Sequence, residues 1–291
     1  MNENFKEVLK DHAKSFYFAG LLLDKKTLND ASILYAFCRQ LDDAADEGTD
    51  NVTKLNSLIT DYKKSSSENQ VNNAFKILQD KYELDQIFID DLMKGIKADL
   101  SFEQPDNLKE LIIYSYQVAG TVGGLMAKIL GANDQNAWKF AVDLGIGMQL
   151  TNIARDIKED AINKRIYIPK DMLEDVTYQN ILDDSNKDQV FKATGSILKI
   201  ADQYYESGLK GIFHIPHKNK FSILVAANLY RSIGDKVLKN KSEFLKSRSY
   251  LNIFEKFILL SKLYFQKTKL LSLTIVEHDT DKLHSPYLKI K

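Results

Sequence analysis

The residues best suited to chemistry are acids and amides gathered in two short runs. Gln149 to Asp160 reads Gln-Leu-Thr-Asn-Ile-Ala-Arg-Asp-Ile-Lys-Glu-Asp, without Gly or Pro, at the end of an apolar-periodic stretch that begins at Ala137. That periodicity predicts the last turns of a helix. Residues three or four apart share a helix face, so Gln149, Asn152, Asp156 and Asp160 form one line, continued backwards by Gly145, Val142 and Trp138. A second run, Lys25 to Glu47, repeats the layout: Asp42 and Asp46 follow Arg39, Tyr35, Ala31 and Leu28 on one face. Each line is apolar first and oxygen-rich last, which predicts one apolar slot with a carboxylate mouth.

One i, i+4 carboxylate pair on a helix surface costs only a few tenths of a kcal/mol. Four around a partly dry mouth repel far more, on the order of 3 kcal/mol per pair at ~6 Å and an effective dielectric of ~20. Both clusters end helices, where the backbone dipoles add negative potential. Such a site takes up protons or hard cations, and oxygen donors without His or Cys suit Mg²⁺ or Mn²⁺ shared with phosphate groups. Arg39, Arg155 and Arg165 lie close enough in sequence to add phosphate contacts. The predicted ligand is a metal-clamped diphosphate with a hydrocarbon tail. A cation formed on that tail would face Phe16, Tyr35 and Tyr114, in a site that excludes water.

The elements that must position these groups are helices. The chain has 291 residues, 44% of them hydrophobic, with 13 Gly and 4 Pro. Long unbroken runs and few breakers predict an all-α chain forming one domain over 1–291. Helices are expected over 2–13, 25–47, 51–62, 71–81, 84–100, 108–130, 137–160, 188–209, 222–240 and 250–271. Breaks are expected at 65–69, 103–107, 163–170 and 183–188, and Asn133 or Asp134 is expected to cap the next helix. Gly120 and Gly124, in the 108–130 run, are spaced like a close-packing pair. Basic and acidic residues number 40 each, which gives no reason to expect a nucleic-acid partner. The lone Cys38 reads as a core thiol in a reducing compartment. The charged N-terminus and the lack of an apolar run of roughly 18 residues point to the cytoplasm. His214, His217, His278 and His284 show no ligand spacing and read as structural or exposed. From Lys241 onward the chain holds ten Lys and Arg against five Asp and Glu, with several Phe, Ile and Leu. That segment reads as an amphipathic helix on the core, or as a peripheral contact with an anionic membrane.

Together these motifs resemble the squalene/phytoene synthases. Arg39-Gln-Leu-Asp42-Asp43-Ala-Ala-Asp46-Glu47 is similar to the family's first Asp-rich motif, and Gln149 to Asp160 to its second. Ser15-Phe16, Tyr35, Val118-Ala-Gly-Thr-Val-Gly123, Arg165-x-Tyr167-x-Pro169 and Tyr230-Arg231 extend the resemblance over most of the chain. It implies an isoprenoid-synthase-like helical bundle around a central cavity, and head-to-head prenyl transfer through a cyclopropylcarbinyl diphosphate in carotenoid biosynthesis. Asp42, Asp46, Asn152, Asp156 and Asp160 would hold the metal, and the four aspartates with Tyr35 would be catalytic. Substrate contacts would fall on His12, Ser15, Tyr35, Arg39, Gln149, Arg155, Tyr167, Tyr230 and Arg248. Ala13 replaces a frequent hydroxyl, and Ala44-Ala45 a bulkier aliphatic pair.

The expected reaction joins two geranylgeranyl diphosphates into phytoene and releases two diphosphates, with no nicotinamide cofactor. Small residues at Gly20 and Ser32 favour that twenty-carbon substrate. The alternative is a dehydrosqualene or squalene synthase using farnesyl diphosphate. A non-catalytic assembly factor would be expected to lack aspartates from one cluster. A terpene cyclase would be expected to lack the Val-Ala-Gly-Thr run.

Overall fold

Side-chain caps set where two of the helices begin. Asn69 Oδ1 accepts the Asn72 N–H (2.9 Å), and Asn107 Oδ1 accepts that of Glu110 (3.1 Å). Glu110 returns a carboxylate oxygen to the Asp106 N–H (2.8 Å), so two otherwise orphaned donors are satisfied at one helix start. At the other end of a helical run, Gly131 takes φ +87°, a left-handed conformation that suits glycine.

The computed structural model describes residues 4–46, 50–64, 66–132, 134, 136–270, 278 and 280–287, and no strand occurs among them. In chain order the helices are α1 (Phe5–His12), α2 (Lys14–Gly20), α3 (Lys25–Asp46), α4 (Asn51–Lys63), α5 (Gln70–Tyr82) and α6 (Gln86–Ala98). Next come α7 (Leu108–Ser115), α8 (Thr121–Ile129), α9 (Ala137–Arg155), α10 (Ile157–Ile162), α11 (Lys187–Lys210), α12 (His217–Lys239), α13 (Ile253–Leu270) and α14 (Thr280–Leu283). The all-α expectation holds. Glu47 and Asn133 lie outside the described residues. Asp134 accepts the Asn136 N–H at 2.7 Å but does not cap α9, whose N-cap is Asn136 without a side-chain cap bond.

Several elements differ from the periodic reading, among them α2, which forms a helix where none was expected. The run expected to be one helix over 137–160 is divided at Asp156, whose φ and ψ of −101° and 14° end α9. Its N–H still reaches Asn152 O (2.8 Å), and Asp160 N–H reaches Asp156 O (2.9 Å), so the chain bends without leaving its course. The run over 108–130 contains a π-helical turn, Tyr116–Gly120, between α7 and α8. Such turns insert one residue into the ladder and rotate the helix beyond them. Finally, α12 begins at His217 rather than at 222, directly after Pro216, whose fixed φ prepares a helix start.

The central element is α9, which packs against α8, the π turn, α11 and α12. Glycine permits the closest of these approaches. A Cβ on Gly145 would overlap the Ala119 carbonyl, and one on Gly123 would overlap that of Ala141. The backbones of α9 and of the π turn and α8 are therefore in direct contact. The expected Gly120 and Gly124 pair packs instead against side chains: Ile146, Tyr116 and Val142 for the first, Phe88 for the second. Gly145→Ala should destabilise the protein by about 1–3 kcal/mol, because the rigid neighbour is backbone. Urea unfolding would measure this, and an unchanged midpoint would contradict the contact.

This packing bears on the expected slot walls. Val142 and Gly145 are buried where α9 meets the π turn and α8, while Leu28 and Ala31 keep 8% exposure. Ser32 is 0% exposed and donates to Leu28 O (2.7 Å), and a Cβ on Gly20 would crowd Leu28 Cδ1. Val142 of the α9 line belongs to the core, and Gly20 and Ser32 are themselves buried.

Candidate active site

The acidic end of α3 meets the loop after α10. Asp46 accepts Arg165 Nη1 at 2.7 Å, and Arg165 Nη2 also donates to the Asp99 carbonyl (3.2 Å). The Asp99 carboxylate accepts the hydroxyls of Tyr114 (3.0 Å) and Tyr167 (3.2 Å), whose rings stack at 5.0 Å. Asp99 is a site residue that the sequence reading missed. It lies just beyond α6, on the stripe of buried Leu92 and Ile96, and an Asp continuing an apolar stripe was the available signal. Arg39 is held by Asp43, with Nη2 at 2.5 Å from Oδ1 and Nε at 3.1 Å from Oδ2.

A second network forms where α9 ends. Arg155 grips Asp156 through Nε (2.7 Å) and Nη2 (2.5 Å). Arg248 reaches the same carboxylate at 2.9 and 3.1 Å. Tyr230 stacks obliquely on Phe16 (4.7 Å), feels the charges of Arg155 and Asp156, and lies within electrostatic reach of Tyr35. Tyr230 thus links the faces of α3 and α9. Gln149 Oε1 accepts Asn152 Nδ2 (3.2 Å), but Asn152 Oδ1 is buried and has no hydrogen-bond partner.

Two carboxylates stand apart from these pairings. Among the described residues, no hydrogen bond or ion pair engages the carboxylates of Asp42 or Asp160. Surrounding protein pushes Asp42 up to about 7, with further contributions from Asp46 and Asp99. Asp42 is nonetheless accessible to water, which tempers the repulsion. Asp160 is raised to about 8 by burial, then by Asp156 and Glu159, against opposing Arg165 and Arg155. Asp99 rises to about 6 through burial, opposed by Arg165. Burial also raises the phenols of Tyr35, Tyr114 and Tyr167, which therefore stay protonated.

Of the four expected aspartates, two are held by arginine and two are not, among the described residues. Asp46 and Asp156 are each drawn onto arginine, because a salt bridge relieves charge that the neighbouring acid would otherwise repel. The two networks are joined through Arg165, which binds Asp46 and acts on Asp160. A void of about 10 Å³ touches Asp160, Arg165 and Tyr167, and a groove of about 500 Å³ borders Asp99, Tyr114 and Tyr167. His12 is exposed at the end of α1 and Ser15 is partly buried on α2; neither bonds to another site residue among those described. His278 and His284, expected to be structural or exposed, have buried side chains that both bond to buried Asp143 on α9.

Two Asp-rich helix ends are thus joined through Arg165 and bordered by buried tyrosines in an all-helical chain. The squalene/phytoene synthase family model matches residues 9–255, and the chain belongs to that family. A 15-cis-phytoene synthase of Enterobacter agglomerans is 32% identical over 264 residues, covering 85% of this chain and 90% of that one. A 4,4'-diapophytoene synthase of Staphylococcus haemolyticus is 30% identical, covering 88% and 94%. The crystal structure of a dehydrosqualene synthase superposes with a TM-score of 0.79 at 25% identity, covering 91% of this chain and 95% of the other. The isoprenoid-synthase-like helical fold expected from sequence is therefore the observed one.

Proposed function

We propose that the protein joins two molecules of geranylgeranyl diphosphate head to head, forming phytoene and releasing two diphosphates. The observation that carries this reading is the pair of intact Asp-rich helix ends linked through Arg165, which pairs with Asp46 and lies within electrostatic reach of Asp160. The twenty-carbon substrate is supported by the 32% identical phytoene synthase. The 4,4'-diapophytoene synthase and the dehydrosqualene synthase structure favour the second reading, farnesyl diphosphate and a thirty-carbon product. Chromatography of the hydrocarbon made from each substrate decides between them. Phytoene from the twenty-carbon substrate is expected, and turnover of farnesyl diphosphate alone would refute it.

The donor set fits Mg²⁺. Asn152 Oδ1 is an unpaired buried acceptor, Asp42 and Asp160 carry carboxylates without ion partners, and every donor is oxygen. Asp42 and Asp46 would hold metal on one helix end, and Asn152, Asp156 and Asp160 on the other. Bound there, the metal neutralises charge on the departing diphosphate. Arg39, Arg155 and Arg165 orient diphosphate oxygens in competition with Asp43, Asp156 and Asp46. Phe16, Tyr35 and Tyr230 present ring faces to the allylic cation, and protonated phenols do not capture it as an anionic nucleophile would.

We also propose peripheral membrane contact through α13. No helix among the described residues is long and apolar enough to cross a membrane. Yet α13 leaves Phe254 (77%), Ile258 (70%) and Phe265 (84%) exposed, with Lys256, Lys262 and Lys267 on the same helix. Its inner side packs Phe257 on Phe18 and Tyr264 on Phe221. Sedimentation with anionic liposomes should fall several-fold for a Phe254→Ser, Phe265→Ser variant, and unchanged sedimentation would count against this contact.

A further inference from the structure

We propose that Asp143, His278 and His284 form a second cation site, of two imidazoles and one carboxylate, that takes a zinc-class divalent ion and anchors the C-terminal segment to α9. The first observation is an unusual carboxylate. Asp143 lies within α9 at 0% exposure, with no Lys or Arg bonded to it among the described residues. A carboxylate so placed requires a positive counterpart. The partners it has are imidazoles: His278 Nε2 is 2.7 Å from Oδ2, and His284 Nε2 is 2.9 Å from Oδ1.

One ligand atom from each of the three residues lies within 4.8 Å of the others, the one such His, Cys, Asp and Glu group among the described residues. Bonds of about 2.1 Å to a tetrahedral ion place ligand atoms roughly 3.4 Å apart. The site needs to open by only about half an ångström to admit one. The second observation is independent of this geometry. His284 Nδ1 and Tyr287 Oη are buried and have no hydrogen-bond partner. The Tyr287 ring lies 4.9 Å from that of His284, and the Asp143 charge acts on its hydroxyl. The enclosure therefore holds polar capacity that the protein leaves unused. Tyr287 Oη can complete the coordination directly or through a water molecule.

Nitrogen ligands separate this site from the oxygen-only helix ends and select zinc, cobalt or nickel over magnesium. Binding replaces a proton shared between imidazole and carboxylate, which passes to solvent. The walls are aromatic: Trp138 and Phe140 from α9 pack on the two histidines, and Tyr204 donates to the Leu283 carbonyl (2.9 Å). Tyr287 stacks on Tyr116 at 4.2 Å. Both histidines lie beyond residues 9–255, the stretch that the family model matches.

The test uses the full chain without a polyhistidine tag, equilibrated with Zn²⁺ or Co²⁺ and passed over chelating resin. About one zinc per chain should be retained, and cobalt should give the visible absorption of a four-coordinate site. His278→Gln and His284→Gln should each weaken binding by at least about tenfold. Should either variant fail to fold, the wild-type cobalt spectrum decides alone. Absence of four-coordinate bands at equimolar cobalt, or zinc retention equal to that of the double variant, would overturn the proposal. Prenyl transfer is not measured, so the outcome is independent of the catalytic reading.

Discussion

Asp42→Asn should lower kcat by about 10³-fold while leaving the chain folded, and in metal-free buffer at pH 8 it should raise the melting temperature. Loss of a metal ligand removes several kcal/mol of charge stabilisation from the departing diphosphate, and each 1.36 kcal/mol is a factor of ten. The gain in stability comes from the opposite side of the same charge. The Asp42 carboxyl has an ordinary value of 3.8 and is raised to about 7 in the folded chain. Between those values the native state holds a proton that the unfolded chain has released. Stability is therefore full below pH 4 for this group and is lost as pH rises through 7. Asp99 and Asp160, raised to about 6 and 8, act in the same direction. The wild-type melting temperature should fall from pH 5 to 8 without metal, and less steeply in Asp42→Asn. Asparagine keeps the size of the side chain and breaks no ion pair. Turnover retained within tenfold, or identical pH slopes, would show that Asp42 does not carry excess charge for a metal.

Asp156→Ala should abolish turnover as completely, yet with the opposite effect on stability. Asp156 neutralises two guanidinium groups, and the Arg155 side chain is 11% exposed. Removing a carboxylate from a buried pair strands the remaining charge, at a cost of roughly 3 kcal/mol here, since Arg248 is half exposed and keeps its water. The chain should remain folded at 25 °C, with a urea midpoint clearly below that of Asp42→Asn. Comparing the two variants separates the roles of the carboxylates: equal stability would mean that the arginine fork on Asp156 is not formed in solution. Arg155→Gln offers a control. It should weaken substrate binding and recover part of the stability lost when it is combined with Asp156→Ala, because the stranded charge is gone.

Much of the fold was legible because helices are local. The 3.6-residue period placed α3, α4, α5 and α11 close to their observed bounds, and the two donor lines came from the same period. The α9 line passes Asp156 almost undisturbed, since the i to i+4 hydrogen bonds at Asp156 and Asp160 persist across the break. The residue types alone required a counter-charge for both acidic ends, whatever the packing.

Which acids keep a free carboxylate was settled only when distant segments met. Arg165 claims Asp46 and Arg248 claims Asp156, leaving Asp42 and Asp160, and no spacing rule pairs residues that far apart in the chain. Asp99 entered the site because α6 ends beside Tyr114 and Tyr167. Val142 and Gly145 were buried because Gly123 and Gly145 let two backbones touch. His278 and His284 met Asp143 because the C-terminal segment returns to the start of α9. Periodicity tells each helix which face to bury; only the crossing of helices tells a buried face what it will touch.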